Sequence, residues 1–423
     1  MLKIAVDLDD TLSVVDRVER GGAYIARKGL PYKVVDPDAH VFLNVFDWNE
    51  EALAQFIAEG GVSAFIEAET RKGARETLTT WRALGYDVTV LTARGKDWFV
   101  NPVNVSRDWL EKRRLPYDAI VAECKEKGRY CAEQGISVLV DDSFEQCAGA
   151  QRHGVNAVIL VGKNNVARAG EIAFGGSNWY QIADAVEHIA KVRMLEELAA
   201  EACPARTRTY ADGWALNFDE WNACRGNHVR VKSAWLLPLE EKLRGCEGLY
   251  AEKNKPCRFR LTDCDRPLES ALSARGYRLE KEAVCMELER IPTLFPNVRT
   301  RAVSYEEWLK VFRDITGERA LPRSHALIKG NPVYVVLGEG STPVAAGMGV
   351  VQGEYTGVFD LYVDADHRAK GYGGALLERV IFEGKKLGAE KAYLQADARN
   401  KGAISLCVKA GFKKVYDYRY RVR

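Results

Sequence analysis

Asp7-Leu8-Asp9 follows an apolar run, Lys3-Ile4-Ala5-Val6, that reads as a strand. On extended backbone, side chains two residues apart project to the same side, so both carboxylates address one point. Such a pair suits phosphate-ester chemistry. The ester oxygens are negative, and attack needs an in-line nucleophile, a neighbour to handle the leaving oxygen's proton and a cation to neutralise charge. Later segments supply the complement. Thr92, closing Val88-Thr89-Val90-Leu91, offers a hydroxyl to a phosphoryl oxygen, and Lys125 or Lys127 offers an ammonium. Asp141 and Asp142, after Val138-Leu139-Val140, offer the hard oxygen ligands that suit magnesium. An Asp-x-Asp after a strand is commonly a turn or a helix cap; four complementary pieces in order favour a site.

A second constellation lies far downstream. Phe359-Asp360-Leu361-Tyr362-Val363 reads as a strand, Arg368-Ala369-Lys370-Gly371-Tyr372-Gly373-Gly374 follows, and an amphipathic helix runs on to Leu387. Glycines let backbone amides approach a pyrophosphate, and the helix start brings its positive dipole end to the same anion. Asp360 lies on the strand that leads into this loop, and one reading of it is an exposed strand-edge charge.

The elements that must hold these residues follow from periodicity. Short apolar runs alternate with helix-like stretches over the first part of the chain, which predicts a parallel sheet wrapped by helices, with its acids at the carboxyl ends of strands. Residues 13–70 are too long for a simple connection and carry Phe42, Val45, Phe46, Trp48, Leu53 and Phe56 at largely helical intervals, which predicts a small helical cap. Ile182, Val186, Ile189, Val192 and Leu195 form one stripe on a helix ending near Cys203-Pro204, so a domain boundary falls in or after it. Beyond, tryptophans at 214, 221 and 235 mark a change of composition. Ala271 to Tyr277, with the run to Leu288, echoes Leu406 to Phe412 with the run to Val422, which suggests two related modules in tandem.

Composition narrows the function. The 423 residues suggest two to four domains, and 61 basic against 59 acidic residues give no field for nucleic acid or an anionic membrane; a small-molecule substrate fits. Ten scattered cysteines lack a Cys-x-x-Cys pair, and no apolar run approaches membrane-spanning length. The amino terminus lacks the pattern of a secretory leader, so the expected location is cytoplasmic.

The first constellation resembles the four motifs of the haloacid dehalogenase (HAD) superfamily, in its deoxyribonucleotidase-like branch, over roughly residues 1–190. The resemblance implies a phosphatase with Asp7 as nucleophile, Asp9 as general acid and base, Thr92 as phosphate binder and Lys127 as charge clamp. It also implies magnesium held by Asp7, the Asp9 carbonyl and Asp141. The second constellation, continued by Ala392 to Gln395, Asn400 and Ala410-Gly411-Phe412, resembles the GNAT acetyltransferases. That resemblance implies acetyl-CoA as donor, bound by Val363, Arg368, Lys370, Gly371, Tyr372, Gly373 and Gly374, with Asn400 near the pantetheine arm and Asp360 as base. Where the family usually shows a tyrosine acid, this chain has Cys407, with Tyr416, Tyr418 or Tyr420 as substitutes. Residues from about 200 to 292, including Arg225-Gly226-Asn227-His228-Val229, resemble a degenerate copy without the glycine loop.

The expected fold is therefore α/β and α+β: a HAD Rossmann-like parallel sheet with a cap in 1–192, a degenerate GNAT-like module in 193–292 and an acetyl-CoA-binding module in 293–423. The expected function is bifunctional, acting on a small phosphorylated metabolite and a small amine. Proteins of the FkbH type share this domain order, but Asp10-Thr11-Leu12-Ser13 departs from their usual Asn-Thr-Leu-Trp. A third reading makes the acetyltransferase half a non-catalytic sensor of CoA or a metabolite.

Overall fold

Strands rich in valine, isoleucine and leucine with no polar alternation must be covered on both faces, which is the condition of a parallel sheet. The computed structural model describes residues 2–39, 41–220, 224–293, 300–317, 325–339 and 342–423; Trp221 and the side chain of His325 lie outside the described residues. The chain forms two compact units, Met1–Ala190 with Lys232–Leu239, and Lys191–Val231 with Glu240–Arg423.

In the first unit the strands are β1 (Lys3–Val6), β2 (Asp87–Leu91), β3 (Ala119–Val121), β4 (Val138–Asp141), β5 (Asn156–Leu160) and β6 (Phe174–Gly176). They pair in the order β3-β2-β1-β4-β5-β6, all parallel. This order sets the carboxyl ends of β2, β1 and β4 side by side, and with them Thr92, Asp7 and Asp141. Ser13–Val14 and Glu69–Thr70 close a two-residue antiparallel ladder. Between them lie helices Arg17–Lys28, Phe42–Val45, Glu50–Phe56 and Ser63–Ile66. The first is capped by Asp16, whose carboxylate accepts from Glu19 N–H at 2.8 Å, and ends on Gly29 at φ +63°. Tyr24, Phe42, Phe46, Trp48 and Phe56 form its core.

The second unit is built on β7 (Thr207–Ala211), β8 (Trp214–Phe218), β9 (His228–Val231), β10 (Arg258–Thr262), β11 (Arg278–Leu288), β12 (Thr300–Val303), β13 (Asn331–Glu339), β14 (Thr342–Gln352), β15 (Tyr355–Val363), β16 (Lys391–Asp397) and β17 (Lys413–Val422). They form one sheet, β12-β13-β14-β15-β16-β11-β17-β10-β9-β8-β7. The echoed segments occupy matching places. Helix Arg266–Ala274 leads through Gly276 (φ +88°) into β11, and helix Lys401–Lys409 through Gly411 (φ +90°) into β17. These strands cross over: β11 lies between β16 and β17, and β17 lies between β11 and β10. Residues on both sides of position 292 thus share one sheet.

Alternation sorts side chains to the two faces. Val284, Met286 and Leu288 join Leu376, Leu377, Val380 and Ile381 of helix Tyr372–Lys386. Ala283 and Cys285 join Val192, Leu195 and Ala199 of helix Trp179–Ala202. The stripe Ile182, Val186, Ile189, Val192, Leu195 is buried throughout. No helix among the described residues is long and apolar enough to cross a membrane.

Candidate active sites

The parallel sheet of the first unit delivers its acids into one cavity of about 320 Å³, lined by Asp7, Asp9, Thr92, Arg94, Lys127, Asp141 and Asp142 among others. Lys127 opens helix Lys127–Glu133 and is buried; its Nζ donates to Asp7 Oδ1 at 2.5 Å and to Asp141 Oδ2 at 2.7 Å. Lys125 is exposed, and its carbonyl accepts from Gln146 Nε2 at 2.9 Å. The choice between the two lysines, open in the sequence, is made by the turn that starts this helix.

Carboxylate oxygens of Asp7, Asp141 and Asp142 lie within 4.8 Å of one another, all buried. Burial pushes the Asp7 carboxyl up to about 7, against the pull of Lys127, and burial followed by the charge of Asp141 also raises Asp142. Three buried acids facing one ammonium leave excess negative charge that a divalent cation neutralises, and all the donors are the hard oxygens magnesium takes. The donor set therefore fits that ion. Asp142 is also held by Thr11, whose hydroxyl donates to Asp142 Oδ1 and accepts from Asp142 N–H, each at 3.0 Å.

Thr92 N–H donates to the Val121 carbonyl at 2.9 Å, extending the β2–β3 pairing, and its hydroxyl accepts from Arg94 N–H at 3.2 Å. Asp9 is gripped by Arg94, Nε to Oδ2 at 2.8 Å and Nη2 to Oδ1 at 2.6 Å. Arg94 in turn lies over the rings of Phe65 and Phe99. The pairing of Arg94 with a residue 85 positions away has no local signal in the sequence. Arg17 similarly ties Asp10, which sits at φ +62°.

In the second unit, β15 pairs with β16 in parallel only from Tyr355↔Lys391 to Val358↔Leu394, although the strands run on to Val363 and Asp397. The strands part beyond that point. The register of β14 against β15 shifts between Ala346 and Met348, and Asp360, within the irregularity, has φ +50°. Its carboxylate lies 3.8 Å from Arg225 Nη1. Val363 ends β15, and its carbonyl accepts from Arg368 Nε at 3.3 Å. Gly371 caps helix Tyr372–Lys386 at φ +84°, and nothing lies within 4 Å of where its β-carbon would stand. Lys370, Tyr372, Gly373 and Gly374 complete this glycine turn, whose open helix start fits a pyrophosphate. Asn400 caps the next helix: its side-chain oxygen accepts from Ala403 N–H at 3.0 Å, which commits that oxygen to structure.

Cys407 is buried among Leu394, Leu376 and Phe412, and burial pushes its thiol up to about 11. Tyr416 donates to Glu196 at 2.6 Å and Tyr420 accepts from Arg260 at 2.9 Å, so both hydroxyls are engaged. Tyr418 Oη lies 3.5 Å from Gln395 Oε1. His228 is held near 3 by burial and then by Arg260, and is neutral. A small cavity lined by Glu196, Arg208, Arg225, Arg230, Arg260 and Gln395 has no local signal in the sequence, because its arginines come from three strands and a turn spread over residues 208–260.

Residues 189–421, more than half of the chain, match the family described as "Probable histone acetyltransferase Rv0428c C-terminal". An uncharacterized N-acetyltransferase, YobR of Bacillus subtilis, is 24% identical over 254 residues, covering 55% of this chain and 98% of the relative. Among solved structures, a GCN5-related N-acetyltransferase from Kribbella flavida aligns with a TM-score of 0.44 at 14% identity, over 56% of this chain and 94% of that one. A tandem GNAT protein from the clavulanic acid biosynthesis pathway aligns at 0.35 and 12%, over 55% and 87%. The chain belongs to this acetyltransferase family, and its carboxy-terminal region is a GNAT-type N-acetyltransferase.

Proposed function

We propose that the chain carries two activities: acetyl transfer from acetyl-CoA to a small amine in the second unit, and hydrolysis of a small phosphate monoester in the first. The observation that carries the hydrolase reading is the bridging of Asp7 and Asp141 by one buried lysine at the carboxyl end of a parallel sheet. Asp7 Oδ2 attacks phosphorus, forming an aspartyl phosphate, while the leaving oxygen takes a proton from Asp9. Thr92 and Lys127 hold the phosphoryl oxygens through attack. Water, deprotonated by Asp9, then releases phosphate and regenerates Asp7. Magnesium, held by Asp7, Asp141 and the Asp9 carbonyl with Asp142 beside them, would neutralise charge on the phosphoryl group.

For acetyl transfer, the glycine turn at Gly371 supports binding of the pyrophosphate, and the parting of β15 from β16 leaves backbone groups free to pair an extended pantetheine arm. Asp360 takes the amine's proton, the amine attacks the thioester carbon, and CoA leaves as its thiolate. With Cys407 packed in the core, no proton is asked of it. Two assays on the full chain test the reading. Phosphate release from a panel of phosphorylated metabolites, with magnesium and with chelator, is expected to depend on Asp7; Asp7→Asn retaining that release would sink the hydrolase. CoA release with a panel of amines is expected to survive Asp7→Asn and to fail with Asp360→Asn.

A further inference from the structure

The cavity on the helix Trp179–Ala202 face of the second unit holds more positive charge than its own acids neutralise. Four arginines line it, at 208, 225, 230 and 260, against one acid, Glu196. Glu196 is fully committed: Arg260 gives it two bonds, 2.7 and 2.6 Å, and Tyr416 a third at 2.6 Å. The other three are matched less completely: Arg230 and Arg225 each face one acid, and Arg208 meets neutral acceptors. Arg208 spends Nε on Asn217 at 2.8 Å and Nη2 on the Ala200 carbonyl at 3.2 Å, both neutral acceptors. Arg225 stands 3.8 Å from Asp360, beyond hydrogen-bond length. Arg230 is 94% buried, gives Nη2 to Glu197 at 2.7 Å, and its sequestered Nε meets no acceptor among the described residues. A buried charged donor left unsatisfied carries a desolvation penalty that a ligand oxygen removes. His228, neutral on the same wall, adds nothing to the charge.

Size and position define what enters. The free space is about 30 Å³. At roughly 10–15 Å³ per water, that holds two or three oxygen-sized atoms, the dimensions of a carboxylate group. Gln395, on the cavity wall, is the first β16 residue past the last β15–β16 pair, and Arg225 reaches toward Asp360 on the other parted strand. An anion here lies beside the opening where an amine meets the thioester. The geometry points to an acyl acceptor that carries a carboxylate: an amino-acid-like amine whose carboxylate is bound by Arg208 and Arg230 and whose nitrogen turns to Asp360. This rests on the second unit's being the acetyl-transfer site.

Calorimetric titration of the full chain with free amino acids and their carboxamides, in the presence of CoA, reads the site without requiring turnover. At least one amino acid is expected to bind saturably and about tenfold or more tighter than its carboxamide, and to lose about tenfold in Arg230→Gln and in Arg208→Gln while acetyl-CoA affinity stays unchanged. Arg208, the half-buried residue of the otherwise exposed edge strand β7, serves if Arg230→Gln does not fold. Equal binding of acid and amide, no saturable binding, or unaltered affinity in the folded variants overturns the proposal; preference for phosphoethanolamine overturns the carboxylate assignment. Failure of acetyl-CoA itself to bind or turn over marks instead the failure of the acetyltransferase reading, since carboxylate binding is measured separately.

Discussion

Arg94 grips both carboxylate oxygens of Asp9, at 2.8 and 2.6 Å, so the side chain proposed to move the proton is held in one orientation over the cavity. Arg94→Lys keeps the charge but loses the planar fork. Phosphate release is expected to fall by about 100-fold in kcat, with a smaller change in KM, because a misaimed proton donor slows the chemical step more than binding. Steady-state kinetics on a phosphorylated substrate checks this, and a change confined to KM would move Arg94 to substrate binding.

Lys127 sets its ammonium against both Asp7 and Asp141. Lys127→Met is expected to destabilise the first unit by about 3–5 kcal/mol in the absence of divalent cation, the cost of leaving buried charge uncompensated. Lys127→Met combined with Asp7→Asn should recover part of that loss. Urea unfolding with and without magnesium measures both.

His228 faces Arg260, Arg230 and Glu196, and its ring nitrogen Nδ1 lies 3.0 Å from the Cys224 carbonyl. Its value near 3 in the fold, against 6.5 unfolded, means that the unfolded state takes up a proton the folded state refuses. The stability it contributes is present above about 6.5 and is lost as pH falls toward 3, amounting to about 2 kcal/mol at pH 5. Chemical denaturation at pH 7.5 and pH 5 should show a shallower loss in His228→Gln than in the wild type.

Gly371 sits at φ +84°, where an added β-carbon meets no neighbour but does strain the backbone. Gly371→Ala is therefore expected to cost about 1–2 kcal/mol at the turn, by relaxing the loop or by destabilising it. The KM for acetyl-CoA should rise about tenfold, while phosphate release from the first unit is unchanged. Arg368→Ala should weaken acetyl-CoA binding less, because its Nε is partly spent on the Val363 carbonyl.

Cys407 packs as a small apolar group. Cys407→Ala should retain acetyl transfer within about threefold, whereas Cys407→Ser should lower stability by about 1–3 kcal/mol, the cost of burying a hydroxyl without a partner. A large fall in kcat for the alanine variant, with the pH profile shifted, would instead give the thiol the acid's role.

The arrangement that can be read along the chain is the one carried by neighbouring residues. Val88-Thr89-Val90-Leu91 and Val138-Leu139-Val140 announce strands by composition, and the acids and the hydroxyl fall just past their ends because a strand's last residue fixes where the next side chain emerges. Gly276 and Gly411, each ending a helix before a strand, made the internal echo visible for the same local reason. The parting of β15 from β16 left no such trace: it depends on pairing between residues more than thirty positions apart.

By itself, then, the sequence determined the order of strands and helices, the strand-end placement of Asp7, Thr92 and Asp141, and the glycine turn at Gly371. These depend on backbone preference and side-chain periodicity over a few residues. Tertiary structure alone decided that Lys127 and not Lys125 reaches Asp7, that Arg94 holds Asp9, that β11 and β17 exchange places, and that Arg208 and Arg230 share a cavity. Those are questions of distance and desolvation between distant segments, and charge pairing acquires its energy only once packing has removed the water between them.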